Sequence, residues 1–302
     1  MLSGGRVPER RPSDLPRATA VAAVASLALC SLAGFLLVMR AVVTTSALAA
    51  YDPQVAALLR AFRTPPLTRV LWAATVFGDP RSMWAVAAVF VLLLVVWGRR
   101  AEAVLVGVTM AAGSAIGDAA KVATHRPRPP ASLAIIREPA SASFPSGHAL
   151  ASLLLFALLA FVLWRTAGTT AMRRVAIAAV CALGAFLVAL SRVYLGVHWP
   201  TDVLGGWCLA AALVTVTLSA YLAWERHAPG PKRWRPVATG RVRLGVALAL
   251  ACVALAVLIA GAAADPLLRE PARPLSTRDS YKSFASVSPN ASSRGIGSPR
   301  AR

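Results

Sequence analysis

Apolar runs long enough to cross a bilayer recur along this chain, and they restrict its possible folds more than any other feature. A spanning helix needs about 20 predominantly apolar residues, within a range of about 17 to 25. Runs of roughly that kind occupy residues 18–39, 83–98, 103–119, 149–164, 175–191, 203–224 and 244–264, bounded by Arg, Pro or Gly. The second is short, and residues 67–77 before it read as a separate, partly buried helix along the interface. With 57% hydrophobic and 15% charged residues, the chain is too apolar for an ordinary water-soluble domain. No β-like alternation of useful length and no internal repeat interrupts the pattern. In lipid a helix satisfies its own backbone groups, so the expected fold class is all-α: a polytopic membrane bundle with a six-helix core and a seventh, C-terminal span.

The net charge of +20 is almost all Arg, which in a soluble protein would suggest nucleic acid. Here the positive charges lie mostly in tails and loops, where they set orientation and meet anionic headgroups. They cluster at Arg6, Arg10, Arg11 and Arg17, at Arg99 and Arg100, at Arg173 and Arg174, and across 226–243. Counting spans from an inside N-terminus puts all four clusters on the cytoplasmic side. The expected partner is therefore the bilayer and not nucleic acid, and the expected location is a multi-pass protein of the cell membrane.

This pattern divides the chain into a basic cytoplasmic tail at 1–17, a membrane core at 18–224, a basic cytoplasmic loop at 225–243, an extra span at 244–264 and a disordered Pro/Ser/Arg-rich tail at 265–302. Ala47-Leu48-Ala49 resembles a signal-peptidase site, but run 18–39 exceeds the usual signal core of about 7 to 15 residues, which favours an uncleaved anchor. Cys30, Cys181, Cys208 and Cys252 each fall within an apolar span without a CxxC pair, so packing is their expected role. Asn290-Ala291-Ser292 is a formal glycosylation sequon in the tail, a triplet that also arises by chance.

Polar residues at span ends are where chemistry is sought, because charge is costly in hydrocarbon. Three clusters qualify, and the span count puts all of them on the outer face. Lys121, Arg126 and Arg128 end one span. They suit headgroup anchoring, or stabilisation of a transferring phosphoryl group by fixed positive donors. Pro145-Ser146-Gly147-His148 opens another: it suits a capped turn with a surface His, or an anion site in which Ser146 is the N-cap, the first helical amides are the donors and Gly147 admits a phosphate close to the backbone. Ser191-Arg192 is followed by His198 and Asp202, whose carboxylate can take the His198 ring N–H and leave the other nitrogen nucleophilic. Between the first two clusters, residues 127–145 contain Pro127, Pro129, Pro130 and Pro139, so this segment cannot be one helix and reads as a cap over a membrane-surface site.

Taken together, Lys121-x6-Arg128-Pro129, Pro145-Ser146-Gly147-His148 and Ser191-Arg192-x5-His198-x3-Asp202 resemble the three-part signature of the type 2 phosphatidic acid phosphatase superfamily. The resemblance is close over 121–206 and looser over the six-span core. It implies a membrane lipid phosphate phosphatase acting through a phosphohistidine at His198, oriented by Asp202. His148 would be the acid that protonates the leaving alkoxide and then activates water. Lys121, Arg128, Arg192, Ser146 and the Gly147 amide would form the phosphate cradle, and no metal or cofactor would be required. The motif spacing selects Arg128 over Arg126, which is left as a loop residue. His125 and His227 are expected at the surface, Asp118 as a structural i,i+3 partner of Lys121, and Trp199 and Trp207 as interfacial anchors.

The expected substrate is a lipid phosphate: polyprenyl diphosphate, phosphatidic acid or phosphatidylglycerol phosphate. Transfer of a phosphoryl-containing headgroup to another lipid would use the same site. A vanadium haloperoxidase shares the motifs, but that resemblance fits soluble proteins. A transporter or anionic-lipid binder would explain basic residues, yet gives no reason for a His-x3-Asp pair beside a second His. Oligomeric state is not legible from the sequence.

Overall fold

The computed structural model describes residues 15–136, 140–165 and 170–227. The expected span at 244–264, the loop at 228–243 and the tail lie outside the described residues, as do Cys252 and the sequon. Within them the chain forms α1 (Leu15–Val43), α2 (Ala47–Ala50), α3 (Asp52–Ala61), α4 (Pro65–Phe77), α5 (Pro80–Val96), α6 (Arg100–Thr124), α7 (Gly147–Trp164), α8 (Ala171–Tyr194) and α9 (Pro200–His227), with one 3-10 turn at Ala131–Leu133. All of this belongs to one compact unit.

Five of these helices are long and apolar enough to span a membrane: Ala22–Val43 within α1, then α6, α7, α8 and α9. Helices α4 and α5, bent by 55° at a short break, pass the same test only together, and make a sixth crossing if the pair is one broken span. The expected short second span therefore starts earlier, at Pro80, and the helix expected at 67–77 is the other arm of that pair. Pro80 has no amide to continue α4, and Asp79 caps α5 by accepting from the Arg81 amide at 2.9 Å. At the bend Gly78 lies against Val188 of α8, where a Cβ would collide with the valine methyls.

Helix α7 lies among α5, α6, α8 and α9. Leu150, Leu154, Leu158 and Val162 repeat every four residues along it and are buried against Val106 and Met110 of α6, Leu94 of α5 and Leu209 of α9. Large apolar side chains such as Leu29, Leu37, Val104, Val180 and Leu183 face outward instead. In lipid such exposure costs nothing, because the surroundings are as apolar as the side chains. At the end of the bundle where α5 and α7 finish, Arg99 pairs with Glu102 and Arg165 with Glu225. The opposite end holds the site.

Candidate active site

Four helix ends meet there: the C-termini of α6 and α8 and the N-termini of α7 and α9. Two connections join them, the Pro-rich segment between α6 and α7 and the short turn between α8 and α9. Both are fixed by close backbone contact. The Ile135 amide donates to the Leu195 carbonyl at 3.0 Å, and Gly196 (φ +83°) lies where any Cβ would strike the Leu133 carbonyl. Helix α9 approaches α7 through Gly206, whose missing Cβ would stand 2.9 Å from the Ser146 oxygen and 3.3 Å from the Leu150 nitrogen. The Ser146 amide donates to the Asp202 carbonyl at 3.0 Å, so the N-cap of α7 touches the first turn of α9.

His198 is buried on the turn, with its two ring nitrogens in different surroundings. Nδ1 faces Asp202 Oδ2 at 3.2 Å, while Nε2 faces a guanidinium nitrogen of Arg128 at 3.1 Å. Arginine has only donors, so Nε2 must be the acceptor and Nδ1 must carry the proton toward Asp202. Ser143, fully buried at the end of the Pro-rich segment, donates to Asp202 Oδ2 and lies 3.4 Å from Nδ1. The Trp199 amide donates to the same oxygen at 2.8 Å. Burial, together with the positive charges of Arg192 and Arg128, lowers the His198 imidazole from 6.5 to about 4 despite the upward pull of Asp202.

Of the other motif residues, Arg128 contacts that Nε2 directly, and Arg192 and His148 are close enough to interact with His198 electrostatically. Arg128 also donates to the carbonyls of Val197 at 2.8 Å and Ser141 at 2.9 Å, tying the Pro-rich segment over the His198 turn. Arg192, 3% exposed, donates to the Thr75 hydroxyl of α4, and its Nε is buried with no partner in the protein. Ser146 caps α7, accepting from the Ala149 amide at 3.5 Å. His148 is 9% exposed rather than at the surface, and its Nε2 lies 3.8 Å from Asp79 at the α4–α5 bend. Lys121 pairs with Asp118 at 2.9 Å. A Cβ on Gly147 would lie 3.7 Å from the Lys121 nitrogen and 3.5 Å from Pro80, in ordinary contact with both. Packing alone therefore does not demand glycine at 147. Arg128 and Arg192 stand near one imidazole nitrogen beside the N-terminus of α7, a set of donors suited to an anion.

Among the remaining residues, His125 is exposed and ends α6 in the left-handed conformation (φ 44°), and His227 is exposed. The Trp199 indole donates to the Pro127 carbonyl at 3.1 Å. Cys30, Cys181 and Cys208 are free thiols. Arg126 is a loop residue, as expected, but its side chain is engaged in the site. It is buried between Asp202, 2.5 Å from one guanidinium nitrogen, and Asp52, 2.5 Å from another. The repeated Arg-Pro pair was the available signal, since it supplies a second arginine directed at the same place. Asp52, Ser143, Thr75 and Asp79 are isolated polar residues outside the motifs and carried no such signal.

Between α5, α6 and α7 a cleft of 260 Å³ runs from Lys121 and Gly147 past Pro80, Trp84, Met110 and Leu154.

Comparison with known proteins agrees with this geometry. The model of the PAP2 superfamily matches residues 102–226, which include all three motifs. Phosphatidylglycerophosphatase B of Bacillus subtilis (strain 168) is 26% identical over 179 residues, 59% of this chain and 87% of that protein. YbjG of Escherichia coli (strain K12), whose name assigns it provisionally to the undecaprenyl-diphosphatases, is 39% identical over 83 residues, which is 28% of this chain and 35% of the relative. The crystal structure of a transmembrane PAP2-type phosphatidylglycerolphosphate phosphatase from Bacillus subtilis shares the fold, with a TM-score of 0.60 and 23% identity over 67% of this chain and 98% of that one. With its motifs drawn together at one end of a bundle of helices long enough to span a membrane, residues 102–226 of this chain match the PAP2 superfamily.

Proposed function

We propose that the chain is a membrane lipid phosphate phosphatase that works through a phosphohistidine at His198. The observation that carries this reading is the division of labour on the His198 ring: Nδ1 is tied to Asp202 and Nε2 is directed at the cationic pocket. In the first step Nε2 attacks phosphorus in line as the bond to the lipid oxygen breaks, and His148 gives its proton to that oxygen. Arg128, Arg192, Lys121, Ser146 and the Gly147 amide hold the phosphoryl oxygens, whose charge they stabilise in the transition state. Arg128 turns from Nε2 to the phosphate when the substrate arrives. In the second step water loses a proton to His148 and attacks phosphorus, the phosphorus–nitrogen bond breaks, and inorganic phosphate leaves.

The cleft between α5, α6 and α7 supports a lipid substrate, since it joins an apolar wall to Lys121 and Gly147. A phosphorylated lipid lying in the membrane can place its tail there and its headgroup in the pocket. The names of the two relatives favour phosphatidylglycerol phosphate and polyprenyl diphosphate, with phosphatidic acid as the simplest case of the same chemistry. The distribution of Arg99, Arg100, Arg173 and Arg174 supports a site on the outer face of the cell membrane. The reaction draws on no metal in this reading. Purified protein in detergent should release phosphate from a panel of these lipids with EDTA present, and His198→Ala should reduce that release to the uncatalysed level. Undiminished turnover by the variant would sink the assignment.

A further inference from the structure

A second set of buried charges lies behind the dyad, on the side of Asp202 away from His198. Asp52 opens α3, outside all three motifs, and its side chain is only 3% exposed. Its Oδ1 accepts the Thr201 amide at 2.9 Å, and its Oδ2 accepts the Thr201 hydroxyl and an Arg126 nitrogen, both at 2.5 Å. The other terminal nitrogen of Arg126 reaches Asp202 Oδ1 at 2.5 Å and the Thr201 hydroxyl at 2.7 Å. The Trp199 ring lies 5.9 Å from the guanidinium carbon. Asp202 therefore has its two oxygens assigned to opposite tasks: Oδ2 to His198, Ser143 and Trp199, and Oδ1 to Arg126.

A guanidinium on Oδ1 draws electron density from the carboxylate that supports His198. Paired with Asp202 alone, it would make a neutral unit and a poor hydrogen-bond acceptor. Asp52 changes that balance. The three charges sum to minus one, so the unit still presents a net negative charge while no member is left buried and unpaired.

We propose that Arg126 and Asp52 are positioning residues: Arg126 fixes Asp202 and draws on its charge, Asp52 draws on Arg126, and their balance sets the charge that Asp202 presents to His198. This rests on the reading of His198 as the nucleophile, but the hydrogen bond it concerns can be observed without turnover. The other charged or titratable groups facing His198 are Arg128 from the Pro-rich segment, Arg192 from α8 and His148 from α7, and none of them is altered in the variants below.

The test is the Nδ1–H proton resonance of His198 in the full-length, 15N-histidine-labelled protein in detergent at neutral pH, assigned by its absence in His198→Ala. A more negative Asp202 strengthens this hydrogen bond and moves the resonance downfield. Arg126→Gln, which leaves a net charge of minus two, should shift it downfield. Asp52→Asn, which leaves zero, should shift it upfield. The double variant restores minus one and should return it close to the wild-type position. A merely structural role would move both single variants the same way, or neither, and would give no restoration; either result overturns the proposal. Asp52→Asn and the double variant decide the matter even where Arg126→Gln alone fails to fold. Failure of wild-type protein to form a phosphohistidine would instead sink the functional reading and leave these shifts standing.

Discussion

At the scale of single residues, Gly147 and His148 separate packing from chemistry. A methyl group at 147 meets Pro80 and the Lys121 nitrogen only in ordinary contact. Gly147→Ala should therefore keep its melting temperature within about 2 °C of wild type, a stability change inside about 0.5 kcal/mol, while phosphate competes far less well as product inhibitor. Equal loss of stability and phosphate binding would mean that the glycine serves packing. His148→Ala removes the acid and should slow hydrolysis of an alkyl phosphate by about 10²- to 10⁴-fold. A p-nitrophenyl leaving group needs no proton, so with that substrate the variant should still release one equivalent of p-nitrophenol rapidly and then stall. A uniform loss with both substrates would remove His148 from the role of acid. The pH response follows from His198, whose imidazole is held at about 4 against an ordinary 6.5, chiefly by burial. Because the attacking form is neutral and the folded value lies below the ordinary one, that form persists as pH falls from 6.5 toward 4. With the substrate's second ionisation near about 6 divided out, the acid limb of kcat/KM should lie well below 6.5. An acid limb at 6.5 would show an exposed, ordinary imidazole.

At the scale of elements, the site is a consequence of how closely helix ends approach. Gly206 lets α9 lie against the first turn of α7, and an added methyl would press on the Ser146 oxygen and the Leu150 nitrogen, both backbone atoms that cannot turn aside. Gly206→Ala should destabilise by about 1 to 3 kcal/mol, as overpacking does, and reduce activity through the displaced Ser146–Asp202 contact; wild-type melting in detergent would contradict this close packing. Much of this scale was legible in the sequence. Apolar run length gave the bounds of α6 to α9 within a few residues, because nothing but a helix satisfies its backbone in hydrocarbon. Ser146 read as an N-cap because Pro145 precedes it and an apolar run follows. The bend between α4 and α5 was harder to foresee: a two-residue Gly-Asp break before Pro80 looks the same whether it ends a surface helix or joins two halves of one crossing. Arg126 and Asp52 were hidden for a different reason. They lie 74 residues apart, and only the folded chain shows that both reach Thr201 and that Arg126 also reaches Asp202.

At the scale of the whole molecule, the bundle confines aqueous chemistry to one end and apolar packing to the rest. In the proposed function, its motif-bearing helix ends, the cap formed by the Pro-rich segment and the apolar cleft beside Lys121 all serve a substrate that is half headgroup and half hydrocarbon. Topology belongs to this scale. Single cysteines placed at 131 and at 100 in a chain lacking its native cysteines should react with impermeant maleimide from opposite sides of intact cells, 131 from outside, and labelling of both from one side would refute the six-crossing arrangement. The claim on which the rest depends is covalent chemistry at His198. Wild-type protein mixed for milliseconds with a substrate carrying 32P in the transferred phosphate, quenched in alkali and digested, should yield label on the peptide containing His198, stable to base and lost in acid. His198→Ala should yield none. Label on another residue, or hydrolysis by the wild type with no labelled peptide at any time, would contradict the account.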